Sequence, residues 1–298
     1  MLPSFLKKRG KLQRAWRYTS EGIIWRIVLT SKGRLVGESR TLDTKEVSFF
    51  CVDASTGTPL WQGATFGEQW WMGMEAVCGE TLFLHKYATP NMPGHKGIIA
   101  VDVASGRQLW LNEELTFEFG ADDVVLASQN TIQGFQFFQL DVHTGTSVQE
   151  LSAAEAKSLR VYDLVEERIN SDFDALSEVV TPAPILELAE DSSEHAIVIR
   201  DHCDARELVG PVEFLEHNNV LIFNYHQRSS SSTEEHVNAN NILKIVDKRS
   251  GIILFDTIMN MDSSSVVPET FFMQGNMLMY VHERTTLTAI DLTSTSLQ

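Results

Sequence analysis

Nine histidines in 298 residues raise metal or acid–base chemistry first. His85 and His95 flank one expected loop, His226 and His236 another, and His202-Cys203-Asp204 is a compact trio. Two ligands presented by one element need a His-x-His or His-x-x-x-His spacing, and neither occurs. In a strand the trio would split, with Cys203 facing away from its neighbours. The expectation is loop and strand-end histidines and no metal site. Three isolated cysteines, Cys51, Cys78 and Cys203, form no Cys-x-x-Cys pair, which argues against both structural zinc and a disulfide framework. There is no Gly-x-Ser-x-Gly elbow and no glycine-rich phosphate loop. A Ser-His-Asp set converges only in space, so its presence is not decided by spacing. Trp70-Trp71, followed by Met72 and Met74, reads either as a ligand platform or as a first strand with its lead-in, and the second is preferred.

These residues need a scaffold, and a repeat supplies it. An apolar run ends in Asp, three residues precede Gly, and three more precede a large apolar residue. The instances are Asp53, Gly57 and Trp61; Asp102, Gly106 and Trp110; Asp141 and Gly145, where Gln149 takes the aromatic place; and Asp247, Gly251 and Phe255. A fifth begins at Asp291, with Thr295 in the glycine place. Asp accepts hydrogen bonds from turn N–H groups, and Gly supplies the positive φ that a tight hairpin needs. The Asp residues are 49, 39, 106 and 44 residues apart, so one degenerate unit should lie in the long gap, with His195–Arg200 as its matching strand. Four-stranded units repeating every ~40–50 residues indicate an all-β, six-bladed β-propeller, with seven blades as the alternative. Gln13–Tyr18 should close the last blade, with Trp16 filling the place of Trp61 and Trp110.

The repeat resembles that of the quinoprotein-type (PQQ-like) β-propeller superfamily over most of the chain outside roughly 150–210. Pro211–Leu215, the Val220–Tyr225 strand and Glu269–Phe272 before Met277–Val281 also resemble an uncharacterised Bacteroidetes propeller family of unknown function. Neither resemblance implies an activity, because propellers host many. The quinone is not carried over: adjacent cysteines are missing and no export signal is found, so no cofactor is expected.

Charge limits the partners. The formal net charge is −16, a poor match for nucleic acid. Residues 1–12 form a basic tail, and 150–194 is an acidic insertion with twelve acids against Lys157, Arg160 and Arg168. Ser152–Glu155 fits a capping box, so a short helix is expected near 153–160. No Asp-x-Asp-x-Asp-Gly run supports calcium in the insertion. No apolar run reaches membrane-spanning length. The expectation is a single cytoplasmic domain, 1–298, and a monomer.

Within each unit the c–d turns are tight, so binding groups should sit on the opposite b–c and d–a connections: Glu38–Glu46, His85–Lys96, Tyr225–Asn240, Gln62–Gln69 and Thr257–Thr270. The candidate ligand contacts are Trp70, Trp71, His85, Tyr87, Tyr225 and His226. The leading function is a non-catalytic scaffold holding a protein or small ligand. The alternatives are a hydrolase or lyase with His and acid groups at the channel mouth, and, last, a quinone-dependent oxidoreductase.

Overall fold

A computed structural model describes residues 12–89, 92–121, 124–159, 179–233, 236–268 and 270–293. The chain divides into two compact units, Ser20–Glu178 and Met1–Thr19 with Val179–Gln298. Among the described residues every named sheet is antiparallel, in five sheets of four or five strands.

The Ser20–Glu178 unit holds three four-stranded sheets in chain order. Sheet I is β2 (Ile23–Leu29), β3 (Arg34–Thr41), β4 (Glu46–Asp53) and β5 (Pro59–Ala64). Sheet II is β6 (Met72–Cys78), β7 (Thr81–Thr89), β8 (Met92–Asp102) and β9 (Gln108–Asn112). Sheet III is β10 (Thr116–Ala121), β11 (Val124–Thr131), β12 (Gly134–Asp141) and β13 (Ser147–Leu151). Alternate side chains of a strand face opposite sides of its sheet, and in sheet II both sides are apolar. Leu82, Leu84, Ile99 and Val101 pack with Phe49 and Cys51 of sheet I. Phe83, Ile98 and Ala100 pack with Val125, Ala127 and Leu140 of sheet III. Helical residues 153–159 (α1) follow sheet III, and Ala156 packs with Leu126 and Leu151. The expected capping box is there: Ser152 N donates to Glu155 Oε2 at 2.8 Å, and Glu155 N donates to Ser152 Oγ at 3.3 Å.

In the second unit, β16 (Val212–His217), β17 (Val220–Arg228), β18 (Ala239–Asp247) and β19 (Ile253–Ser263) make sheet IV, extended at β16 by β15 (Ala183–Ile185). Sheet V is β20 (Phe271–Gln274), β21 (Met277–His282) and β22 (Thr286–Asp291), extended by β14 (Val179–Val180) at one edge and β1 (Arg14–Thr19) at the other. Ile222, Leu243 and Ile245 of sheet IV share a core with Phe271, Leu278 and Tyr280 of sheet V.

The turns repeat as their residues require. Gly57, Gly106, Gly145 and Gly251 have φ of 69°, 68°, 67° and 66°. Each donates its N–H to the carbonyl of the Asp four residues earlier, at 2.8–2.9 Å. The Asp side chains gather the turn N–H groups, as when Asp53 Oδ1 accepts from Ser55 N at 3.0 Å and Thr56 N at 2.9 Å. Hydroxyl bonds from Ser55 and Thr144, joined by these backbone bonds, hold the Asp53 and Asp141 carboxyls below their ordinary value. At the fifth turn Asp291 Oδ1 accepts from Thr293 N at 2.8 Å, and Thr295 lies outside the described residues.

The expected N-terminal strand pairs with β22 at the edge of sheet V. Trp16 pairs with Ala289, two residues before Asp291. Trp61 pairs with Cys51, Trp110 with Ala100, Gln149 with Gln139 and Phe255 with Ile245, each two residues before its own turn Asp. Trp16 therefore holds the repeat's aromatic register from the other end of the chain.

Two expectations are corrected. His195–Arg200 is not a strand but lies in a helix, α2 (Glu194–Arg200). Its Ala-Ile-Val-Ile run favours a strand by composition. However, Ser193 caps it by accepting from Ala196 N, and Ala196 and Ile199, three apart, turn together onto Leu221, Phe223 and Val246 of sheet IV. Helical spacing of the apolar pair decides the matter. Second, His85–Lys96 is not a long loop. Strands β7 and β8 run on to pair Thr89 with Met92. Most of the acidic insertion, 160–178, lies outside the described residues.

Candidate functional site

The side chains that could do chemistry gather in sheet II, at the end away from its Asp102–Gly106 turn. Thr81 pairs with Asp102 beside that turn, whereas Tyr87 pairs with His95 near the other end. In sheet IV, Val220 likewise pairs with Asp247 and Tyr225 with Ile242, well away from the glycine turn.

A β-bulge delivers the first acid. The β6–β7 register skips Glu75 between Met74 and Ala76. A bulge leaves one residue unpaired and re-aims its side chain. The β10–β11 register skips Glu118 and the β2–β3 register skips Trp25 in the same way. In each sheet the skipped side chain meets the residue that pairs two positions before it. Glu75 reaches His85, the partner of Gly73. Glu118 accepts from Ser128, the partner of Thr116, at 2.6 Å. The Trp25 ring lies 5.6 Å from the guanidinium of Arg40, the partner of Ile23. One backbone device thus carries three chemistries.

At Glu75 the result is a carboxylate facing two imidazoles. Its Oε2 is 2.6 Å from His85 Nδ1 and 2.9 Å from His95 Nδ1. The two rings stack with centroids 3.5 Å apart and 7° between planes. Burial acts to raise the Glu75 carboxyl, but the bonds and charges of His85 and His95 outweigh it and hold the group below its ordinary value. His85 is 5% exposed, and among the described residues neither of its ring nitrogens has a well-aligned hydrogen-bond partner, although Nδ1 lies within ion-pair distance of Glu75. Among the described residues, these three are the one group of His, Cys, Asp or Glu side chains with ligand atoms all within 4.8 Å of one another.

Aromatic rings flank the cluster. Tyr87 sets its ring edge to face against His85 at 5.3 Å, His95 at 5.5 Å and Trp71 at 6.0 Å. Trp71 is 39% exposed. It is held from below: Tyr87 N donates to Trp71 O at 2.9 Å, and Glu68 Oε1 accepts from Trp70 N and Trp71 N at 3.1 and 3.0 Å. Those bonds lower the Glu68 carboxyl.

A second polar group fastens sheet I to sheet II behind the cluster. Arg40 donates Nε to Glu38 Oε1 at 2.6 Å, Nη1 to Trp70 O at 3.1 Å and Nη2 to Met72 O at 2.5 Å. Glu38 Oε2 accepts from Met74 N at 2.9 Å. The guanidinium lies 4.8 Å from the Trp70 ring. Both charged side chains are buried, and their matched bonds offset desolvation. Gly73 sits between the two groups: a Cβ there would meet Glu38 Oε2 at 3.2 Å and His85 Nε2 at 3.3 Å.

Of the sequence candidates, Trp71, His85 and Tyr87 come together, and Trp70 lies beside them under Arg40. Tyr225 and His226 belong to the other unit and are buried, each 2% exposed. Tyr225 stacks on Phe223 at 6.1 Å under the Lys244 ammonium, and His226 Nε2 accepts from Val267 N at 3.3 Å. His202 and Cys203 are in a turn after α2, where Lys244 donates to the His202 carbonyl. Sequence reasoning missed Glu75, Glu38 and Arg40. The available signal was Glu75 itself, an acid inside the apolar run Met72–Cys78.

A family model described as a domain of unknown function (DUF4905) matches residues 28–110, a stretch that contains the whole cluster. No curated protein matches. Among solved structures, a putative TolB from Agrobacterium tumefaciens is 8% identical, with 92% of this chain and 77% of that one covered and a TM-score of 0.31. The uncharacterized protein lmo1340 from Listeria monocytogenes is 9% identical, with 90% and 94% covered and a TM-score of 0.31. The Dos1 propeller is 9% identical, with 90% and 68% covered and a TM-score of 0.30. These likenesses are loose, and the functional reading below is drawn from the chain's own residues.

Proposed function

We propose that this protein is a non-catalytic binding module of the β-propeller type that holds a small planar ligand at the end of sheet II away from its glycine turn. The propeller reading draws on the five-fold turn chemistry and on Trp16 in the register of Trp61 and Trp110. A sixth blade within the 141–247 gap belongs to this proposal without the 195–200 strand. Three free cysteines favour a reducing, cytoplasmic setting, and the chain is read as a monomer. No helix among the described residues is long and apolar enough to cross a membrane.

The observation that carries the binding reading is the partly exposed Trp71 set edge-on to Tyr87, beside a carboxylate and two imidazoles. Small-molecule sites pair aromatic walls with a few convergent polar groups, and this arrangement has both. A panel of planar heterocyclic fragments, followed by thermal shift and tryptophan fluorescence, tests it. Fragments should raise Tm and quench fluorescence in the native protein. The response should vanish in Trp71→Ala and Tyr87→Ala and persist in Thr58→Ala, beside a glycine turn. A response indifferent to both ring truncations overturns the reading.

A second reading is catalytic. It draws on Glu75, whose carboxylate within reach of two imidazoles forms an acid–base pair. Ester hydrolysis above the buffer rate that Glu75→Gln abolishes would favour it over simple binding.

A further inference from the structure

His85 is the least satisfied group in the cluster. It is 95% buried, and among the described residues both ring nitrogens lack an aligned partner. Burying polar atoms without partners is costly, so such a group calls for an occupant. Its Nδ1 lies 2.6 Å from the same carboxylate oxygen that His95 Nδ1 approaches at 2.9 Å, so two ring nitrogens crowd one oxygen. Two imidazole nitrogens and a carboxylate oxygen, all within 4.8 Å of one another, are a donor set that suits a borderline-soft divalent cation.

We propose that Glu75, His85 and His95 bind one divalent transition-metal cation, for which Zn²⁺ is the probe. The proposal rests on reading this end of sheet II as a binding site and names what is bound there. Ligand bonds of ~2.0–2.1 Å set tetrahedral donor atoms about 3.3 Å apart. The present separations of 2.6 and 2.9 Å need to open by less than an ångström, and the partly exposed His95 ring must rotate out of its stack on His85 so that both in-plane lone pairs meet the ion. Three protein donors leave a fourth position open. It faces solvent through His95 and Glu75, whose side chains are 34% and 21% exposed, so an ion has a way in and a ligand has somewhere to add. Mg²⁺ and Ca²⁺ require more oxygen donors than one carboxylate gives. The charge count also suits a dication: one carboxylate and two neutral imidazoles leave the bound site at +1.

The donors come from three adjacent strands. Glu75 is aimed by the β6 bulge. His85 and His95 are brought ring to ring where β7 and β8 pair past a register shift between Leu84 and Lys86. The ten-residue separation of the histidines carries no ligand signature, because pairing across a hairpin, not spacing along one element, makes them neighbours.

Calorimetric titration of the metal-stripped full chain with Zn²⁺, checked by metal analysis after dialysis, tests this. One Zn²⁺ per chain is expected, undisplaced by excess Mg²⁺, and competed by Ni²⁺. Loss of outer-shell groups alone typically costs roughly 10–100-fold in metal affinity. His95→Gln and Glu75→Gln should each therefore weaken binding about tenfold or more. These two side chains are partly exposed, so the variants remain informative where His85→Ala fails to fold. His236→Gln, in an exposed loop, should bind as the native chain does. Absence of stoichiometric Zn²⁺, or binding indifferent to His95→Gln and Glu75→Gln, overturns the proposal. Fragment binding through Trp71 with no zinc uptake would overturn the metal site and leave the binding reading standing. Zinc uptake by both native and Trp71→Ala protein, with no fragment response, would uphold the metal site and overturn the aromatic reading.

Discussion

Two buried histidines are held by different means. His85 stacks on His95 and faces Glu75, whereas His226 accepts one backbone N–H from Val267 at Nε2. That bond requires the neutral ring with its proton on Nδ1. Burial then pushes the His226 imidazole below its ordinary value, and it does the same to His202 and His282. The unfolded chain binds these protons more readily. Their contribution to stability is therefore full above the unfolded value near ~6.5 and is lost as pH falls toward the folded value. Urea midpoints should drop between pH 7.5 and pH 5.5. His226→Gln, which removes one of the three groups, should make that drop smaller. An unchanged pH dependence in the variant would contradict the assignment. At this scale the sequence was least informative: Tyr225 and His226 are polar enough to suggest a site, yet both are buried in sheet IV, and nothing in their local sequence marks that.

At the scale of strands and turns, neighbouring sheets are fastened by one recurring contact. Trp61 of sheet I donates its indole N–H to Val103 O at 2.7 Å, and Trp110 of sheet II donates to Val142 O at 2.8 Å. Each acceptor follows the turn Asp of the next sheet. The same indole covers the next sheet's turn glycine, so that a Cβ at Gly106 would come within 2.7 Å of the Trp61 ring and one at Gly145 within 2.5 Å of Trp110. Gly251 has the same positive φ but nothing within 4 Å of its Cβ position. Gly251→Ala should therefore pay only the left-handed backbone penalty of roughly 1–2 kcal/mol. Gly106→Ala should lose more, because the indole must also move and its bond to Val103 lengthens. Equal losses in denaturant unfolding would show that the ring contact contributes nothing. These turns were legible in the sequence because their chemistry is local: Asp, Gly and the following bulky residue act within nine positions. The bulges were not legible. A skipped residue is defined by the register of two strands, and Trp25, Glu75 and Glu118 follow no common local pattern. The α2 helix was misread for a related reason. Its β-branched run suits a strand, and only the apolar face of sheet IV selects the helix.

Across the whole chain, the longest sequence separation among the strand pairs is β1 with β22. Deleting residues 1–20 would leave β22 as an unpaired edge and remove Trp16 from its register. A lower Tm and concentration-dependent light scattering are expected, since an exposed edge invites pairing with another copy. A truncated chain that melts with the native one would show that β1 is dispensable. The β1–β22 pairing was readable because Trp16 reproduces the aromatic place that Trp61 and Trp110 hold in their own repeats. The division into two units was not readable, since the repeat runs through both.

That pairing also sets an order of events on the ribosome. Sheets I, II and III draw every strand from residues 23–151, so all their partners exist once that stretch has emerged. Strand β1 emerges before them and meets β22 only after some 270 further residues. At ~5–20 residues per second, that is a wait of roughly 15–55 s with its hydrogen-bonding groups unclaimed. The six basic side chains of residues 1–17 are carried through that interval, on and just ahead of β1. Their mutual repulsion would discourage neighbouring nascent chains on one messenger from borrowing each other's first strand.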